Sequence, residues 1–143
     1  MTSFRGRVAG GLTVLEAVWA LYSYFGVGPN SCPLGGCPGP QLSPLYGDAT
    51  IILAVIVLID GAVGLWGAGL AYTAGAVLSA ALLALTAYAT WVDLGYPYLS
   101  GEVEGGVVGC SVALLALAGN ILASRSQSGL SEQANPMNLP VFG

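Results

Sequence analysis

The amino-acid sequence predicts an all-α membrane protein: an up-down four-helix transmembrane bundle with short extracytoplasmic loops. Three observations carry that expectation. From Ala49 to Val92 the chain is almost unbrokenly apolar, and Asp60 is its only charged residue. A membrane-spanning helix needs about twenty mostly apolar residues, so this stretch holds two spans back to back. One apolar segment precedes it and another follows. Finally, only 7% of the residues are charged and 55% are hydrophobic, with a mean hydropathy of +0.78. Soluble domains carry roughly 25% charged residues, so a water-soluble surface cannot be built from this supply.

Residues 1–7 form a short polar lead holding Arg5 and Arg7. Residues 8–27 are the first span, which ends in Trp19, Tyr22, Tyr24 and Phe25, aromatics suited to an interfacial belt. A cleaved secretory signal fits less well, because Glu16 interrupts the apolar region and no small-x-small cleavage site follows. Residues 28–48 make a loop whose prolines and glycines favour turns over helix. The second span covers 49–67 and the third 70–92, with Gly67-Ala68-Gly69 as the turn between them. A second loop occupies 93–104, the fourth span 105–124, and a polar tail 125–143 is expected to be mobile or partner-bound.

Orientation follows from the three arginines. Arg5 and Arg7 flank the start of span one and Arg125 the end of span four. Positive charge stays in the cytoplasm, and an even number of spans returns the C-terminus to the side of the N-terminus. The expectation is a multi-pass protein of the cell membrane with both termini cytoplasmic. Asp48, Asp93, Glu102 and Glu104 then lie outside, together with Cys32 and Cys37. Tyr22, Tyr24, Tyr46, Tyr96, Tyr98 and Trp91 are expected as anchors at the outer interface, and Trp66 near the inner one.

Spans associate through small residues that let backbones approach. Gly105, Gly109 and Ala113 repeat at four-residue spacing in the fourth span, and Ala71, Gly75 and Ser79 do so in the third. Ala76, Ala80 and Ala84 run beside the latter, and the second span offers Asp60, Gly64 and Ala68. These seams either close the protein's own bundle or serve another subunit.

Glu16 and Asp60 are intramembrane carboxylates. Each lies about eight residues from the cytoplasmic end of its span, hence roughly 12 Å deep at 1.5 Å per residue. Such residues face a bundle interior or a wet cavity, and on sequential helices these two could meet. They suit a proton- or ion-binding site, extended by Thr13, Ser23 and Asn120, or plain hydrogen bonding between helices. Cys32 and Cys37 suit a structural disulfide on the outer side. Cys110 fits as a packing residue.

Gly11 to Glu16 resembles the processing site of type IV prepilins, in which a glycine precedes an apolar helix with glutamate at its fifth position. A pilin has one hydrophobic helix and a soluble head, whereas three more apolar segments follow here. The four-helix thiol-oxidising membrane enzymes use a CxxC near a helix start, a pattern from which Cys32 and Cys37 depart.

The chain has no histidine and no lysine. That removes histidine-based triads and His-ligated haem, zinc or copper, and too few cations exist to bind nucleic acid. No enzyme activity, cofactor or metal is expected. The partners expected are the lipid bilayer and other membrane subunits or a second copy. The first function to expect is a non-catalytic accessory subunit of a larger membrane complex, respiratory or transport-related. The alternative is a small transporter or a proton- or ion-conducting homo-oligomer using Glu16 and Asp60. A third is a membrane thiol-redox protein using Cys32 and Cys37.

Overall fold

A computed structural model of the chain describes residues 4–26, 44–95 and 100–133. Cys32, Cys37, Tyr96 and Tyr98 lie outside them. The described residues form four helices in up-down order: α1 (Phe4–Gly26), α2 (Pro44–Leu65), α3 (Gly69–Asp93) and α4 (Ser100–Gln133). Each is long and apolar enough to cross a membrane. Arg5, Arg7 and Arg125 mark one end of the bundle and Asp48 and Asp93 the other.

Two helices reach beyond the apolar segments that announce them. α2 begins at Pro44, inside the stretch expected as loop. Proline suits a first helical turn, where its missing N–H has no partner to lose. α4 runs from Ser100 through the start of the polar tail to Gln133. A helix already nucleated gains one hydrogen bond per added residue, and the single Gly129 costs only about 1 kcal/mol.

The α2–α3 connection is tight. Trp66 and Gly67 donate their backbone N–H to Val63 and Gly64, each at 3.0 Å. Gly67 has φ 89°, a left-handed conformation in which a side chain would be strained.

α1 and α2 touch backbone to backbone. A Cβ added at Gly10 would stand 2.7 Å from the Leu65 nitrogen, and one at Gly61 2.9 Å from the Val14 nitrogen. With lipid as apolar as leucine, dispersion contact at such close approach is what holds spans together. Two apolar clusters lie inside. Ala9, Tyr72 and Ala123 meet at the arginine end, where the Tyr72 hydroxyl donates to the Gly64 carbonyl at 2.9 Å. Ala17, Val57 and Leu82 pack at mid-depth, with Leu53, Leu58 and Leu78 against them. The large aliphatics, among them Ile52, Ile59, Val77, Leu114 and Leu122, point outward. That is the inverse of a soluble bundle and suits a hydrocarbon surrounding.

Candidate functional site

Between the two apolar clusters lies a polar layer to which all four helices contribute. Glu16 of α1 is only 3% exposed, and Ser79 of α3 is fully buried beside it. The Ser79 hydroxyl donates to Glu16 Oε2 at 2.6 Å. The other carboxyl oxygen, Oε1, is buried with no hydrogen-bond partner. Burying a polar atom without a partner costs free energy, so the Glu16 carboxyl keeps unused hydrogen-bonding capacity in the middle of the bundle.

One turn nearer the arginine end, Asn120 Nδ2 of α4 donates to Thr13 Oγ1 at 2.9 Å, and that hydroxyl donates to the Ala9 carbonyl at 3.0 Å. Asp60 of α2 arrives at the same level. Gly75 makes the room: a Cβ there would lie 2.7 Å from Asp60 Oδ2 and 2.9 Å from Asn120 Nδ2. Glu16 and Asp60 therefore face α3 at successive turns, beside Ser79 and Gly75, about 6 Å apart along its axis. They do not pair as their equal depths in the sequence suggested. The reason is the register of α1 on α2, in which Gly61 abuts Val14 and holds Asp60 below Glu16.

On the other side of Glu16 the helices diverge around a cavity of about 160 Å³. It reaches from Glu16 past Trp19, Tyr24 and Thr90 to Tyr46 and Asp93 at the acidic end. A water needs roughly 10–15 Å³ by this kind of measure, so the space holds several. Ser23, named from the sequence as a possible extension of the site, contributes to its wall. A second hollow at the arginine end, lined by Phe4, Arg5, Val8, Ala9, Gly119 and Leu122, contains no carboxyl.

Several wall groups hydrogen-bond to backbone. The Trp19 indole donates to the Gly105 carbonyl at 3.2 Å, and the Tyr46 hydroxyl to the Leu85 carbonyl at 2.5 Å. Thr50, Thr86 and Thr90 each donate to the carbonyl four residues earlier, at 2.8–2.9 Å. Trp19 and Tyr46 thus point into the bundle rather than anchoring its surface, while Tyr22, Trp66 and Trp91 are exposed.

Two of the small-residue seams face inward. Ala71, Gly75 and Ser79 are buried on α3, as are Gly109 and Ala113 on α4. Gly109 admits Trp19, whose indole nitrogen would be 3.1 Å from a Cβ at that position. Gly105 differs: nothing lies within 4 Å of a Cβ there, and its contribution is the carbonyl that receives Trp19. Gly106, beside it, accommodates the Thr90 side chain. Gly10 had a signal that sequence reasoning passed over, the Gly6-xxx-Gly10 spacing at the start of α1, whereas Gly61 stands three residues from Gly64 and outside any four-residue glycine repeat. Trp19 had a usable signal, three residues beyond Glu16 and so on the same helix face.

Cys110 is a free thiol, half-buried on α4. The expected Cys32–Cys37 disulfide falls outside the described residues. Among the described residues no cluster of three or more metal-ligating side chains occurs. No family model, curated protein or solved structure matches this chain.

Proposed function

We propose that this small integral membrane protein is a transporter that binds a proton or small cation at Glu16, entering through the cavity from the acidic end. The observation that carries the reading is the buried Glu16 carboxyl, with one oxygen held by Ser79 and the other unpartnered, at the inner limit of that cavity. A carboxylate at this depth is costly when charged and alone, so it exchanges a proton for a cation more readily than it stays bare. Asp60, Asn120 and Thr13 continue the polar layer toward the arginine end. There the Ala9–Tyr72–Ala123 cluster closes it. Access from one side with closure at the other is a carrier's arrangement rather than an open pore.

Reconstituted in liposomes, the protein is expected to catalyse pH-dependent cation flux that Glu16→Gln abolishes while the fold survives. The amide keeps the size and a hydrogen bond to Ser79 but cannot ionise. Flux unchanged by that substitution defeats the proposal.

A second reading, an accessory subunit of a larger membrane complex, draws on a different observation. Ala80 and Ala84, part of a small-residue row on α3, face outward. A smooth lipid-facing strip of that kind lets another helix approach closely.

A further inference from the structure

The cavity beside Glu16 is weighted toward acceptors. Five of its wall donors, Trp19, Tyr46, Thr50, Thr86 and Thr90, give their hydrogens to backbone carbonyls, which leaves the hydroxyls of Ser23 and Tyr24 as its side-chain donors. What the hydroxyls among those five still offer is lone pairs, since each keeps acceptor capacity after donating once. The ionisable carboxyls of the wall, Glu16 and Asp93, are acceptors when charged, and no arginine lines it. A ligand that satisfies these acceptors and carboxyls brings hydrogen-bond donors and positive charge.

The rest of the wall selects against a bare metal ion. Such an ion takes six or more oxygens, and aromatic rings with small aliphatic residues form much of this surface. Trp19, Tyr24 and Tyr46 instead offer ring surface, which attracts cations that carry hydrocarbon. The volume of about 160 Å³ sets the size: a protein cavity of about 150 Å³ admits a benzene ring.

We propose that this cavity binds a small primary organic ammonium ion, with an ammonium N–H donated to the Glu16 carboxyl and the hydrocarbon body lying against Trp19, Tyr24 and Tyr46. The assignment rests on the reading of Glu16 as a cation site and names what the cation is. Aspartate at position 93, at the cavity's acidic limit, adds a second negative group that draws the ammonium inward. Asp60 stands apart from this wall and makes no contribution to it.

The test uses the full-length protein in nanodiscs and two probes of equal shape, benzylammonium and benzyl alcohol. Binding is followed by calorimetry and by tryptophan fluorescence in a Trp66→Phe, Trp91→Phe background, which leaves Trp19 as the reporter. Benzylammonium is expected to saturate and to bind about tenfold or more tighter than the alcohol, the worth of one charge-assisted hydrogen bond. Glu16→Gln should erase that preference, and Asp60→Asn should leave it intact. Ser23→Leu, which adds bulk to the wall and keeps the carboxyl, should weaken both probes together, so the result does not hang on how well the Glu16 variant folds.

Equal binding of the two probes, or a preference that survives Glu16→Gln, overturns the ammonium assignment. If proton-linked flux through the wild-type protein persists alongside equal binding, the assignment alone falls and Glu16 serves a smaller cation. If neither flux nor binding depends on Glu16, both fall together.

Discussion

Replacing Ser79 with alanine removes the one hydrogen bond on the Glu16 carboxyl and changes almost nothing else, because the small side chain still lets α3 lie close to α1. The loss should therefore be that of a single interhelical hydrogen bond in a membrane, on average about 0.6 kcal/mol and at most about 1.7. Unfolding from bilayer-like micelles, read by near-ultraviolet circular dichroism, measures it. No change at all would mean that water in the cavity takes over the serine's role. The same variant bears on function with opposite weight. Freed of Ser79, the carboxyl keeps its place in the cavity wall, so cation flux should persist where Glu16→Gln loses it. A carboxyl that acts only as a structural hydrogen-bonding group predicts no such difference, with Ser79→Ala and Glu16→Gln both harmless to flux.

Among the helices, the α1–α2 contact depends on glycine at particular points and the prediction is position by position. Gly10→Ala and Gly61→Ala each push a methyl group into neighbouring backbone, which cannot rotate away as a side chain can. Each should destabilise the bundle by about 1–3 kcal/mol, the usual range for overpacking. Gly105→Ala meets open space and should be neutral or stabilising by up to about 1 kcal/mol, since alanine favours helix. Thermal unfolding of the three variants side by side checks the ordering, and equal effects would remove the claim that α1 and α2 are set by backbone contact. The contrast also marks the limit of sequence reading. The helices were legible from hydropathy, and Glu16 and Asp60 from charge inside apolar runs. Which face of each helix turns inward was not, because core and lipid are both apolar and no polar face gives the period away. Hence Trp19 read as an interface anchor although it lines the cavity, and the offset of Asp60 below Glu16 needed the Gly61–Val14 contact to be seen.

For the whole molecule, what its outer surface meets decides between its two functional readings. Large aliphatic and aromatic side chains suited to acyl chains cover much of that surface, while α3 also exposes small ones at Ala74, Ala80, Ala81, Ala84 and Ala87. Gentle extraction from native membranes, followed by native mass measurement, should return a monomer or a homo-oligomer if the Glu16 cavity is the working part. A particle holding other polypeptides supports the subunit reading instead. Bulky substitution at Ala80 should then dissociate it without altering the fold.

The polar layer also imposes an order on the making of the protein. Glu16 waits for Ser79, 63 residues later in the chain, and Thr13 waits for Asn120, 107 residues later. At a synthesis rate of about 5–20 residues per second, the second delay lasts roughly 5–20 s. Throughout it α1 stands in the membrane with polar groups its final neighbours have yet to cover. The arrival of α4 is thus the event that completes the polar layer, and a chain that ends before Asn120 leaves Thr13 without its partner on that helix.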